Sequence, residues 1–218
     1  MRITNATWIA AALVAAAYAV ALWAWTTLPA GAGVATDYLG LDGVRHHGVS
    51  RAVLWLIPAI AGFVVTVMTF APGFGAADEV ERGAEVFDTT LIAVAGLLLV
   101  VEAALVGRAM DPGFNVLRPV TIATGVLLLV IGNYLGKARQ NLFIGLKTPW
   151  TLANATVWDK TQRFTGRGLV MGGLALVILG FALRETALLG AAIGLCAAAP
   201  ILAGIARSRS LYRGLQRT

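Results

Sequence analysis

The stretch "TALLGAAIGLCAAAPILAGIA", residues 186–206, contains no charged side chain. An apolar helix of about 20 residues crosses the hydrocarbon core of a bilayer, so this stretch predicts a transmembrane helix. Five more runs are apolar, and all but the third of the six are free of charge. These five runs cover residues 6–28, 52–74, 89–107, 119–136 and 168–183. The sequence therefore predicts an all-α integral membrane protein with six transmembrane helices, forming a single membrane domain over residues 1–218.

The composition agrees with that fold class. The 218-residue chain is 58% hydrophobic and 13% charged, whereas a soluble domain carries about 25% charged residues. Its net charge of +6 suits the anionic headgroups of a bilayer, and no motif typical of nucleic-acid binding accompanies it. The single cysteine, Cys196, lies in the sixth run, which excludes an intramolecular disulfide.

The distribution of Lys and Arg predicts the orientation. With six spans both termini lie on one side, and the termini and loops of that side hold most of the 17 basic residues. Loops rich in Lys and Arg stay in the cytoplasm. We therefore expect a multi-pass protein of the cell membrane with both termini cytoplasmic.

The loops differ in character. Residues 29–51 form an extracytoplasmic loop whose glycines and Asp42-Gly43 favour turns over regular structure. The inner loop that follows the second run is acidic, and Asp88 at its end is expected to cap the third helix.

Residues 137–167 form a cytoplasmic loop that contains a predicted interfacial amphipathic helix between the fourth and fifth spans. Thr148 is predicted to be its N-cap, and Pro149 is predicted to be its first helical residue. At 100° per residue one side of this helix is mostly apolar, comprising Trp150, Ala153, Val157, Trp158, Thr161 and Phe164. The other side is polar, comprising Thr156, Asp159, Lys160, Arg163 and Arg167. Such a helix lies in the membrane interface with its aromatic residues inward.

Few residues are candidates for ion transfer, metal binding or catalysis. Glu102 is the one ionisable group well inside an apolar run, and a carboxyl at that depth is either functional or paired, here with Arg108 or Arg118. The adjacent His46 and His47 lack further ligands at useful spacing, so they are interpreted as loop residues and no metal site is predicted. No catalytic or cofactor motif occurs, which indicates a protein that is not an enzyme and needs no cofactor.

Small residues four apart predict close helix packing in lipid. Gly168 and Gly172 lie in the fifth run, and Gly190 and Gly194 lie in the sixth. They are expected to pack these two spans on each other, or on a second copy of the chain in a homo-oligomer.

One segment carries a family resemblance. The sequence "GNYLGKARQNLFIGLKTPWTLANATVWDKTQRFTGR", residues 132–167, resembles the signature region of the SdpI family of bacterial membrane immunity proteins. The matching residues are Gly132, Asn133, Lys137, Asn141, Gly145, Thr148, Pro149, Trp150, Thr151, Leu152, Trp158, Thr161, Arg163 and Gly166. There are two departures, since Lys147 stands where the family usually has Arg and Gln162 where it usually has His. Lys147 keeps the positive charge but not the bidentate geometry of arginine.

The resemblance implies protection against a secreted toxic peptide, coupled to control of a cytosolic repressor protein, through binding and not catalysis. The binding residues it implies are Asn133, Lys137, Asn141, Gly145, Lys147, Thr148, Pro149, Trp150, Thr151, Trp158, Thr161 and Arg163.

Three alternatives remain open at this point. The polar residues Asn133, Asn141 and Thr148 could serve only to cap helices and fix the loop. A small ion-coupled transporter would use the intramembrane Glu102. A structural membrane subunit would need no ligand at all.

Overall fold

The computed structural model describes residues 4–29, 34–39, 45–71, 77–137, 140 and 145–215. For residues 34–39, 45–50 and 77–83 it describes the backbone alone. Seven α-helices, one two-stranded sheet and one 3-10 turn make up the described chain. They are α1 (Asn5–Thr27), β1 (Val34–Leu39), β2 (Arg45–Ser50), the 3-10 turn Ala52–Trp55, α2 (Leu56–Phe70), α3 (Ala77–Met110), α4 (Leu117–Leu135), α5 (Pro149–Ala153), α6 (Ala155–Ala182) and α7 (Thr186–Leu215).

Six segments are long and apolar enough to cross a bilayer. They are Asn5–Thr27, Ala52–Phe70, Ala84–Met110, Leu117–Leu135, Ala155–Ala182 and Thr186–Leu215. Each includes or overlaps one of the predicted apolar runs, which confirms an all-α multi-pass membrane protein. The exposed side chains of these helices are largely apolar, for example Phe63 and Met171, as expected of surfaces that contact lipid tails.

Two loop predictions are wrong. Residues 34–39 and 45–50 pair as antiparallel strands, with Val34 opposite Ser50 and Leu39 opposite Arg45, whereas the sequence favoured turns. Val, Thr and Tyr favour extended backbone once a partner strand is present. The acidic segment is also not a loop, because α3 begins at Ala77 and Asp88 lies inside it. Alanine and glutamate are good helix formers, so the helix extends beyond its apolar part.

The six membrane-spanning helices form two groups of three. In the first, α1, α2 and α3 enclose one apolar cluster around Ala10, Val65 and Leu91. In the second, α4 packs extensively on α6, and α6 also packs on α7. The core of the second group includes Leu128 and Leu176. Contacts between α3 and α4 join the two groups.

Paired glycines set the distance between α4 and α6. A Cβ atom built on Gly132 would lie 2.6 Å from the carbonyl oxygen of Gly166, and one built on Gly125 would lie 2.7 Å from that of Gly173. Seven residues separate the glycines on each helix, so both pairs lie on the same side of an antiparallel crossing. From the sequence, Gly132 and Gly166 were identified only as residues that match the family signature. Their seven-residue spacing to Gly125 and Gly173 was the signal for this contact.

The predicted glycine contacts of the last two spans are confirmed in part. On α6, a Cβ on Gly168 would lie 2.9 Å from Cβ of Pro200, and one on Gly172 would lie 2.7 Å from the carbonyl oxygen of Cys196. On α7, Gly194 has no neighbouring atom within 4 Å of a built Cβ. That glycine does not hold α7 against the rest of the chain, and a homo-oligomer remains a prediction.

Candidate functional site

The site begins at the turn that starts α5. Thr148 has extended backbone (φ −125°, ψ 158°) and its Oγ1 accepts a hydrogen bond from the Thr151 amide at 3.2 Å. In return, the Thr148 amide donates to Oγ1 of Thr151 at 2.8 Å. This reciprocal capping box, with Pro149 at the first helical position, confirms the predicted helix start. Thr151 was predicted as a binding residue and not as a capping residue, although the spacing T-x-x-T could have indicated its part in the capping box.

The predicted amphipathic helix is divided at Asn154. This residue is extended (φ −149°, ψ 123°), and its side-chain Oδ1 accepts hydrogen bonds from the amides of Thr156 and Val157 at 2.9 and 3.1 Å. Because Asn154 caps a new helix, α5 ends at Ala153 and α6 runs without a break into the fifth span. Gln140 donates to the carbonyl oxygens of Thr151 and Leu152 at 3.0 and 2.8 Å, so the end of α5 is also satisfied.

The buried face of this segment contacts protein and not lipid. Val157, Trp158 and Thr161, all on the predicted apolar side, are buried, and Trp158 is fully enclosed. Phe164, on the same predicted side, is exposed, and the guanidinium of Arg207 lies 4.7 Å from the centre of its ring. The predicted interfacial surface is therefore mainly the packing surface of α6, which lies against α4, α5 and α7.

Gln162 connects α6 to the preceding turn. Its side-chain Nε2 donates to the Leu146 carbonyl oxygen at 3.1 Å, and its Oε1 accepts from the Leu146 amide at 3.0 Å. Oγ1 of Thr151 donates to the same carbonyl oxygen at 3.0 Å. These contacts are largely buried, so each satisfies a backbone group that would otherwise be costly to enclose.

The turn is also fixed to α7. Oγ1 of Thr148 and Oγ of Ser208 lie 3.2 Å apart in a buried contact, and Ser208 donates to the carbonyl oxygen of Ile205 at 2.8 Å. One turn earlier on α7, Gly204 lies directly against the side chain of Thr165 on α6. These contacts hold α5, α6 and α7 together beyond their apolar parts. We call residues 145–166, with residues 204–209 of α7, the capped segment.

The comparison with known proteins identifies this region. Residues 137–206 match the SdpI/YfhL protein family. The chain is similar to this family over that segment. It is 33% identical over 85 residues to the immunity protein SdpI of Bacillus subtilis (strain 168). The matched region covers 39% of this chain and 41% of the relative, so the chain spans about two-fifths of that protein's length. No solved structure matches the chain.

The SdpI/YfhL segment contains nearly all of the predicted site residues, and the structure divides them into three sets. The first set comprises the buried Thr148, Thr151, Trp158 and Thr161, with Gly145 against the Trp158 ring and Pro149 in the same turn. Those on the surface are Asn133, Lys137, Lys147 and Arg163, with Trp150 half-buried. Asn141 lies outside the described residues. The resemblance could not separate buried residues from exposed ones, because it compares residue types and not their positions in the structure.

Substitution of Gln162 tests the hydrogen bonds to Leu146. In Gln162→Leu the amide of Leu146 loses its side-chain partner and the carbonyl oxygen keeps only the Thr151 hydroxyl. An unsatisfied buried group costs about 1–3 kcal/mol. We expect the free energy of unfolding to fall by about 2–3 kcal/mol in detergent. Gln162→His, the residue usual in the family, offers a donor and an acceptor on opposite sides of its ring and should lose about half as much. Equal stability of Gln162→Leu and wild type would contradict this role.

Glu102 lies outside the SdpI/YfhL match, in the C-terminal third of α3. Its side chain is 0% exposed, and neither carboxyl oxygen has a hydrogen-bond partner in the described part of the chain. The predicted pairing with arginine is wrong. Arg108 donates to the Pro112 carbonyl oxygen, and Arg118 donates to those of Gly180 and Phe181 at 3.3 and 3.2 Å.

Removal of the Glu102 carboxyl is expected to stabilise the protein. Glu102→Met keeps a similar length and removes two unsatisfied buried oxygens, each unmade bond costing about 1–3 kcal/mol. Thermal unfolding in detergent should show a gain of about 1–3 kcal/mol. Glu85→Met, at an exposed position of the same helix, should change stability by less than about 0.5 kcal/mol. A loss of stability in Glu102→Met would show that the carboxyl has a stabilising partner.

Proposed function

We propose that this chain is an immunity protein of the cell membrane that protects against a secreted toxic peptide by binding and not by catalysis. The observation that carries the proposal is the match between the SdpI/YfhL segment and a protein named as an immunity protein. The capped segment supports it, because a buried hydrogen-bond network holds a short helix with exposed cationic and aromatic groups in one arrangement.

The binding surface proposed for this function combines charge with aromatic rings. Arg207 lies 4.7 Å from the Phe164 ring, and Arg209 lies 6.0 Å from the Trp150 ring. Cation–π contacts of this kind hold a guanidinium in place without neutralising it. With both termini in the cytoplasm, this surface faces the cytosol. There it would suit an acidic partner such as a cytosolic repressor protein, so that toxin binding within the membrane is coupled to gene control.

Expression in a toxin-sensitive strain tests the proposal. The wild-type chain should raise the survival of cells exposed to the toxic peptide. Trp150→Ala should abolish protection at an unchanged protein level, because it alters the surface of the capped segment. Asn141→Ala, which changes a residue that matches the family signature, should do the same. Trp8→Ala, which removes an exposed tryptophan from α1, is the matched control and should protect fully. Full protection by both site variants would contradict the assigned surface, and no protection by wild type would contradict immunity.

Ion-coupled transport is the weaker alternative. An intramembrane carboxyl that carries ions needs neighbouring polar groups or water, and the described residues place no hydrogen-bond partner beside Glu102. A flux in proteoliposomes that disappears in Glu102→Gln would support transport over immunity.

A further inference from the structure

A groove between α4 and α6 is lined by three cationic side chains. Its volume is about 570 Å³, and it is lined by Gly132, Asn133, Gly136, Lys137, Arg163, Arg167, Val170 and Met171. The two helices approach closely beside it because Gly132 and Gly166 have no side chains. A Cβ on Gly136 would lie 3.7 Å from Cα of Arg163, which places the end of α4 beside the first arginine.

The groove changes character along its length. Arg163 and Arg167 are one turn apart on α6, and Lys137 follows the last turn of α4. Val170 and Met171 continue the groove toward the centre of the span, and Met171 is 72% exposed. One end therefore presents cations and the other presents an apolar surface.

The charged end lies at the depth of lipid phosphates. Arg118 lies at the start of α4 and Lys137 lies just after its end. At a rise of about 1.5 Å per residue, the two residues are about 28 Å apart along the helix axis. This distance is close to the hydrocarbon thickness of about 30 Å. If Arg118 lies at one boundary of the hydrocarbon, then Lys137 lies at the other.

The two ends of this helix pair use their cations differently. At the Arg118 end, the guanidinium donates to the last carbonyl oxygens of α6 and so completes the helix terminus. At the Lys137 end, the cation lies 5.3 Å from the Tyr134 ring. There no ion pair joins Lys137, Arg163 or Arg167 to a carboxylate among the described residues.

We propose that this groove binds an anionic phospholipid, with its phosphate on Lys137, Arg163 and Arg167 and an acyl chain along Val170 and Met171. The guanidinium groups match the geometry of a phosphate, and basic pockets between transmembrane helices are suited to anionic headgroups. Asn133 adds an uncharged donor for the glycerol part of the headgroup. Asn133, Lys137 and Arg163 are also among the binding residues that the family resemblance implies, but lipid binding can be tested without reference to immunity.

Lipid titration of the purified full chain in neutral detergent tests the site. Phosphatidylglycerol should bind more tightly than phosphatidylcholine with the same acyl chains, as measured by native mass spectrometry. Each interfacial cation strengthens such binding about fivefold, so Arg163→Gln/Arg167→Gln should weaken phosphatidylglycerol binding about 30-fold and leave phosphatidylcholine unchanged. Arg213→Gln, which removes an exposed cation from the last turn of α7, is the control for net charge and should change binding less than about twofold.

Three results would overturn the proposal. Equal binding of the two lipids would exclude charge recognition, and full binding by the double variant would exclude these arginines. Complete competition by glycerol phosphate at the same concentration would assign the site to a free phosphate ester and not to a lipid. If the double variant does not fold, Lys137→Gln, beyond the end of α4, replaces it with an expected loss of about fivefold.

Discussion

Gly132→Ala is expected to lower the free energy of unfolding by about 3 kcal/mol, and Gly132→Val to prevent folded protein from accumulating. The reason is the contact at the crossing of α4 and α6. A Cβ at position 132 would lie 2.6 Å from the Gly166 carbonyl oxygen and 2.8 Å from the Val170 amide nitrogen. Both are backbone atoms of a helix, so no side-chain rotation can relieve the overlap.

The separation of the helices would spread beyond one residue. If α6 moves away from position 132, the close contact between Gly125 and Gly173 is also lost, because both pairs lie along the same crossing. Packing between helices in lipid depends on such contacts, since the apolar tails offer no hydrophobic driving force for association. Gly166→Ala should therefore have an effect similar to that of Gly132→Ala.

A neighbouring glycine provides the control. Gly136 is one turn further along α4, and a Cβ there would be in ordinary contact, 3.7 Å from Cα of Arg163. Gly136→Ala should change stability by less than about 0.5 kcal/mol. Thermal unfolding in detergent and the amount of protein in membranes are the two measurements. Wild-type stability of Gly132→Ala would show that the helices are further apart than described.

Gly145→Ala is the second large effect, with an expected loss of about 2–4 kcal/mol. Gly145 has φ +134°, a conformation that residues with a Cβ rarely adopt, at a cost of about 1–3 kcal/mol. In addition, a Cβ would lie 2.7 Å from Cη2 of Trp158. Trp158 is fully buried, so it has little room to move away.

Gly145→Ala should destabilise the capped segment more than it destabilises the helices of the first group. Gly145 leads directly into Leu146, which Gln162 holds by both backbone groups. Hydrogen exchange in Gly145→Ala should therefore increase at residues 146–153 while α1 and α3 remain protected. Gly194→Ala, at a glycine with open space around it, is the control and should exchange like wild type. Unchanged exchange at 146–153 in Gly145→Ala would contradict the role assigned to Gly145.

The turn at Thr148-Pro149 could be predicted from sequence because its determinants are local. A capping hydroxyl and a proline at the first helical position act within one turn of backbone. The second cap at Asn154 is equally local, but the amphipathic pattern of residues 150–164 obscured it. Periodicity reports which side of a helix is apolar and does not report whether that side contacts lipid or protein, so Trp158 was assigned to the membrane interface.

The partners of Gln162, Ser208 and Glu102 could not be predicted. Gln162 contacts Leu146, 16 residues away, and Ser208 contacts Thr148 at a separation of 60. Such pairs depend on how helices are arranged around one another. Glu102 was expected to pair with an arginine, yet Arg108 and Arg118 each bind backbone carbonyl groups at helix ends.

The sequence by itself determined the membrane class, the six spans and the start of α5, because hydropathy and capping are properties of short stretches of chain. Tertiary structure alone decided which glycines form contacts, which cations lie together and which polar groups of residues 145–166 are buried. Gly132 and Gly194 are the same residue type in similar apolar helices, yet one lies against another backbone and the other has open space around it. That difference depends on which helices are neighbours, which no local pattern specifies.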